Sequence, residues 1–267
     1  SALDRVEPLR YCLGLIRLPD TSPTLSVLEN GVAGTSVVKE YDGMGSYIRV
    51  EGSFDEYRSA LSSNFKNNLR KAKNKISRLP DVKTVFLSGA EATAKGLQLF
   101  LEVEASGWKG QGGSAILMSS SLSAFYGKIV ERLAELGWLE WHFLQTQGKV
   151  IAGQFAAKMG STLIVMKIGY DESYGWCSPG NYLFEHTVER AFASGDTDEI
   201  DCLTDMPWHR NWKMKQRDYH NLWIYPRRPI PLIFGAFGRR IKNALRKTPG
   251  LRPLYHGLRG SAKGERS

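Results

Sequence analysis

The sequence predicts a mixed α/β fold of the α+β kind, in which a sheet containing an antiparallel meander is flanked by helices. Three observations carry that reading. Residues 139–145, 150–158 and 162–169 are apolar, strand-like runs joined by the short turns 146–149 and 159–161, as in hairpins. The third run leads through a polar aromatic loop, 170–177, into a helix reaching about Ser194, and a further strand follows over 199–203. Strand–helix–strand requires a parallel neighbour, so the sheet is mixed.

Residues 1–50 hold short apolar pieces: a strand over 9–16, a loop over 19–23 and a strand over 45–50, too little for a core of their own. Residues 51–78 read as helical, with Ser53 as N-cap and Leu61, Phe65, Leu69 and Ala72 at helical intervals. The second half carries Lys66, Arg70, Lys71, Lys73, Lys75 and Arg78, a run that reads first as a solvated face and second as a phosphate-reading surface. A strand over 82–87 and a helix over 90–104 follow, the latter burying Ala94, Leu97, Phe100 and Leu101.

The next segment, Glu104 to Gly113, has four glycines after Ser106, so its backbone can bend closely around something. Trp108 and Lys109 inside it point to a ligand or a facing domain; a linker with an anchoring tryptophan is the blander reading. Ser119 or Ser120 caps a helix through Phe125, Tyr126 and Ile129 to Leu136, closed by Gly137.

The meander's third strand feeds Ser178-Pro179-Gly180-Asn181. Ser178 is placed to cap, and Pro179 falls at the first helical position, where its missing N–H is no loss. Leu183, Phe184, Val188 and Phe192 mark the buried face, and Gly195 ends the helix. A helix N-terminus opened by small residues suits an anion such as a diphosphate, which makes Ser178, Pro179, Gly180 and Asn181 candidate cofactor-binding residues. A capped crossover helix with no ligand is the alternative. Residues 207–212 and a strand over 222–225 complete the sheet.

Residues 227–267 differ in kind: eleven Lys and Arg stand against Glu265 alone. Residues 232–245 have the pattern of an amphipathic basic helix, weakened by Gly235 and Gly238. A membrane-surface contact and a solubilising tail are the two readings of this stretch.

The 267 residues are 42% apolar and 24% charged, an ordinary globular composition, and no apolar run reaches membrane-spanning length. Three cysteines without metal-like spacing predict reduced thiols in a cytoplasm. A formal charge of +9 calls for an anionic partner. Phosphate-loop, zinc-protease and nucleophile-elbow motifs are missing, so no metal is expected. The cations lack an aromatic stacking strip, which weighs against nucleic acid.

In order, Glu104-Ala-Ser-Gly-Trp-Lys-Gly110, Phe125-Tyr126, Tyr170-Asp171, Ser178-Pro179-Gly180, Asp201 and Pro207-Trp-His-Arg-Asn-Trp212 resemble the GNAT-type acyltransferases of the CelD/BioF-like family, relatives of the FemABX aminoacyl transferases. The resemblance covers about residues 45–225. It implies a GNAT-like acyltransferase domain over 51–226, preceded by the remnant of another half-domain over 1–50 and followed by the basic tail 227–267. It further implies an N-acyltransferase that takes an acyl group from an acyl-CoA, acetyl-CoA first, to a small-molecule, glycan or peptide amine in envelope or exopolysaccharide metabolism. A catalytically silent binding domain and an aminoacyl-tRNA-dependent transferase are the alternatives; no helical-hairpin insertion like that of the tRNA users is evident. Where the family carries Tyr-Lys near its last motif, Trp208-His209 stands here.

Attack of an amine on a thioester needs a base and amides to hold the oxyanion. Glu104 and Asp201 are the candidate bases, with a capping or core-edge role as the alternative for each. Tyr126, Tyr170 and Tyr174 are placed either to protonate the leaving thiolate or to pack. Trp108, Lys109, Gly110 and Tyr170 are candidates for substrate contact. The expected location is cytoplasmic, with membrane association through the tail.

Overall fold

A computed structural model of the chain describes residues 12–31, 33–106, 116–227, 236 and 239. In chain order the elements are β1 (Leu13–Pro19), α1 (Pro23–Glu29), β2 (Thr35–Arg49), α2 (Phe54–Ala60), α3 (Ser63–Ile76), β3 (Val82–Ser88), α4 (Lys95–Ala105), α5 (Ser120–Glu135), β4 (Leu139–Thr146), β5 (Lys149–Met159), β6 (Thr162–Tyr170), α6 (Pro179–Ser194), β7 (Glu199–Asp201) and β8 (Lys215–Pro226). Short 3-10 turns join several of them. The chain forms two compact units, Gly45–Gln216 and Ser1–Met44 with Arg217–Ser267.

In the larger unit the strand order is β2-β7-β6-β5-β4-β3. The predicted meander is present as β4, β5 and β6; β3 adds antiparallel to β4, and β6 pairs with β7 in parallel. Helices cover both faces. Phe65, Leu69, Phe184 and Val188 bring α3 and α6 onto Leu163, Val165 and Ile200. On the other face Phe100, Leu101 and Val130 bring α4 and α5 onto Trp141, Phe143 and Phe155. Phe155 and Ala156, consecutive on β5, enter opposite clusters, as strand geometry requires.

Local chemistry explains several boundaries. The predicted helical region 51–78 is two helices, because Ser53 and Ser62 each cap a start: the Ser53 hydroxyl accepts from the Glu56 amide and the Ser62 hydroxyl from the Phe65 amide. The exposed side of α3 carries most of the basic run, so that run is a solvated face. Ala94 is exposed rather than buried, since the helix begins only at Lys95, after a 3-10 turn over Gly89–Glu91. Ser119 caps α5 by accepting from the Leu122 amide, and Gly195, at φ 69°, ends α6 in the left-handed region that favours glycine.

In the smaller unit β1 lies antiparallel to β8, with Leu13 opposite Ile224. The predicted loop after Pro19 gives way to helix α1, and the strand sits at Leu13–Pro19. Arg17 pairs with Asp42, which also accepts from the Asn221 side chain at 2.9 Å. Three residues of the basic tail are described, and one of them, Arg227, donates from Nε to the Thr35 carbonyl at 3.0 Å. Ala236 is buried with Val38 and Tyr225, and Arg239 lies 3.6 Å above the Trp223 ring while bonding Glu40 at 3.0 Å and the Tyr225 hydroxyl at 2.9 Å. Arg239 is therefore docked, not solvated. Among the described residues no helix is long and apolar enough to cross a membrane.

Candidate functional site

β6 and β7 pair over only three residues, from Thr162 opposite Glu199 to Ile164 opposite Asp201. β7 then ends, whereas β6 runs on to Tyr170. Where the two strands part lies a cleft of about 430 Å³. Ile168 and Tyr170 line it from β6, Ser178 to Asn181 from the start of α6, and Met206 and Trp208 from the far side. Four predicted cofactor residues and Tyr170 thus meet around one space.

Ser178 is a correction. It has the left-handed geometry φ 53°, ψ 52°, and its hydroxyl makes no capping bond to the first turn of α6. A side-chain cap needs an extended backbone at that position, and the preceding 3-10 turn Glu172–Cys177 delivers the chain in another conformation. The cap of this region sits earlier, at Asp171, which accepts from the Ser173 amide at 3.0 Å and the Ser173 hydroxyl at 2.7 Å. Lys149 donates to the same carboxylate at 2.7 Å. Burial alone would raise the Asp171 pKa, but the bonds from Lys149 and Ser173 outweigh it and hold the carboxyl below its ordinary range. A Cβ added at Gly180 would lie 3.4 Å from the Tyr170 ring, ordinary contact, so the ring closes over the start of the helix.

The far wall is set by His209. Its Nδ1 accepts from the Met206 amide at 3.1 Å, and burial lowers its pKa, which suits a neutral ring. That bond closes the turn presenting Met206 and Trp208.

A second group of predicted residues collects on the face of α4 and α5. Glu104 is buried; one carboxylate oxygen accepts from the Ile116 amide at 3.0 Å and the other lies 3.9 Å from the Lys167 ammonium. Lys167 sits 5.2 Å from the Tyr126 ring centre. Glu104 and Tyr126 are therefore brought together through a residue that sequence reasoning missed. Simple alternation puts Lys167 on the side of Leu163 and Val165. A register shift between Phe155 and Ala156 inserts Met166 as an extra residue in β6 and turns Lys167 to the side of Phe155. The available signal was a lysine inside an apolar strand.

Asp201 stands apart at the end of β7, buried, its carboxylate accepting from the Leu203 amide at 2.7 Å. Trp108, Lys109 and Gly110 lie outside the described residues. His142 is buried between Glu140 and Gln154, at 2.9 Å from each, in a structural network. Among the described residues no group of three or more His, Cys, Asp or Glu could hold a metal ion.

A family model described as the acetyltransferase (GNAT) domain matches residues 63–214. No curated protein sequence matches the chain. Among solved structures, FemX is similar with a TM-score of 0.55 and 11% identity over 79% of this chain and 71% of that one. The C-terminal domain (DUF2156) of a putative lysylphosphatidylglycerol synthetase from Agrobacterium fabrum is similar with a TM-score of 0.49 and 10% identity, over 83% and 70%. At such identity the likeness to FemX is one of fold.

Proposed function

The chain belongs to the acetyltransferase (GNAT) domain family, and from that premise we propose that it is an N-acyltransferase moving an acyl group from an acyl-CoA to an amine. The observation that carries this is the cleft where β6 parts from β7 against the start of α6. An unpaired strand edge offers backbone donors and acceptors to the amide groups of an extended pantetheine arm. The first turn of α6 offers free N–H groups and the positive end of the helix to the donor's diphosphate. Both are needed by one elongated, anionic thioester, and here they adjoin.

In this reading the bulge at Met166 lies beside the thioester, and the backbone amide it leaves out of the ladder stabilises the oxyanion. Glu104 and Asp201 stay the candidate bases and Tyr126 a candidate proton donor. Trp108 and Lys109 serve the acceptor; Ala at either position should raise the acceptor KM or lower kcat without a large loss of stability. A fall in melting temperature as the main effect of Trp108→Ala would make the tryptophan a packing anchor. We place the enzyme with the CelD/BioF-like acyltransferases of envelope or exopolysaccharide metabolism, with the basic tail as a peripheral membrane contact.

Calorimetric titration of acetyl-CoA into wild type and Gly180→Val tests the donor site. A valine there narrows the approach to the α6 amides, and the expected loss is about 2 kcal/mol, roughly thirtyfold in affinity, with folding little changed. Equal affinity in two folded proteins would place the donor elsewhere. No binding to either would favour a silent domain or an aminoacyl-tRNA donor.

A further inference from the structure

A second cleft in the larger unit, of about 220 Å³, has no part in the acyl-transfer reading. Tyr47 and Arg49 line it from β2, Glu51 from the chain after it, Tyr57 from α2, Lys213 from the turn before β8 and Lys215 from the start of β8. Met214, between the two lysines, packs against the core cluster containing Phe184 and Trp212. Both flanking lysines line the cleft while Met214 is partly buried on the other side. Lys213 holds φ 50°, a left-handed conformation that costs any residue with a Cβ.

The side-chain hydrogen-bond donors here are unspent. Among the described residues neither the Lys213 nor the Lys215 side chain has a hydrogen-bond or ion-pair partner. The Arg49 guanidinium is ion-paired with Glu51 at 3.8 Å and Glu199 at 3.7 Å, but both lie beyond hydrogen-bond distance, so its N–H groups stay open to a ligand. Tyr57, by contrast, is fixed: its hydroxyl donates to the Trp212 carbonyl at 2.6 Å, which holds its ring in the wall.

Two point charges, a planar guanidinium and two aromatic side chains around one cleft fit a particular chemistry. We propose that this cleft is a binding site for a small phosphate monoester, its phosphate held by Lys213, Lys215 and Arg49 and its ring against Tyr47 and Tyr57. A dianion with three free oxygens uses three separate cations, whereas a carboxylate is filled by one guanidinium fork. The site does not depend on the acyl-transfer reading, because no residue lines both clefts.

The test is calorimetric titration of phenyl phosphate into the full chain. Saturable binding is expected, weakened at least tenfold by Lys215→Ala and by Lys213→Gly, and unchanged by Lys95→Ala on an exposed surface elsewhere. Lys213→Gly should melt no lower than wild type, since glycine adopts φ 50° freely, so its loss of binding cannot be blamed on unfolding. Gly180→Val should bind phenyl phosphate like wild type; loss of binding there would move the anion to the other cleft and overturn the proposal. No saturable binding to wild type, unchanged affinity in both lysine variants, or benzoate binding as tightly as phenyl phosphate would each overturn it as well.

Discussion

The two halves of β6 are made of the same kind of sequence and do different things. From Thr162 to Ile164 the strand is paired on both sides, with β5 and β7, and Leu163 is buried against α3 and α6. From Val165 to Tyr170 it is paired with β5, the bulge at Met166 interrupts the register, and the last residues open onto a cleft. The first half is core; the second keeps Val165 in the core and carries Ile168 and Tyr170 to the wall of the cleft. What separates them is the length of the neighbour: β7 ends at Asp201, where the Asp201 carboxylate takes the Leu203 amide and turns the chain away. A strand edge is left open to a cleft when its partner stops first.

The largest expected effect tests the closed half. Leu163→Ala removes a buried side chain that is 4% exposed and should cost about 3 kcal/mol of stability in urea unfolding. Acetyl-CoA affinity of the folded variant should stay at the wild-type level. A parallel fall in affinity would mean that the two halves act as one unit.

This contrast also marks what the sequence made legible. Apolar runs, caps and turn glycines are local signals, and the meander, the parallel return of β7, Pro179 at the start of α6 and Gly195 at its end all follow from them. Tyr170, read as a substrate contact, and Ser178 to Asn181, read as cofactor contacts, line one cleft, and only ten residues lie between its ends in the chain. Long-range events were not. The bulge that re-aims Lys167 arises from pairing with β5, and the apolar strand pattern marks it only by the lysine it contains. Ser178 misled because cap preference concerns composition, while capping depends on the backbone angle that the preceding turn imposes. Arg239 reads as one more tail charge until Trp223 and Glu40 are placed beside it.

A smaller effect sharpens the open half. Lys167→Met keeps the length of the side chain but removes the ammonium facing Glu104 and the Tyr126 ring. If that cluster serves the transfer step, kcat/KM should fall about tenfold, near 1.4 kcal/mol, while acetyl-CoA affinity is unchanged. Wild-type kinetics in Lys167→Met would make the cluster a packing feature of the α4 face.

The smallest effect concerns how the open half is held. Asp171 ends β6, caps the turn Glu172–Cys177 and is bound by Lys149, itself 58% exposed at its side chain, so the ion pair is screened. Asn at 171 keeps an oxygen for the cap and loses the charge, so Asp171→Asn should cost no more than about 1 kcal/mol at neutral pH. The sign of its pH dependence follows from the shifts. The folded carboxyl titrates below its ordinary 3.8, so its contribution is complete above that value and is lost as pH falls through the folded value. Lys149 titrates above its ordinary 10.5, chiefly because of the bond to Asp171, so its share is complete below 10.5 and is lost as pH rises through the folded value. Between these limits wild type should exceed Asp171→Asn by a constant margin in urea unfolding. Below 3.8 the margin should shrink toward zero, because a protonated Asp171 is as neutral as the asparagine. A margin that persists there would show that the carboxyl acts through its shape and its cap alone, and that its charge does not hold the mouth of the cleft.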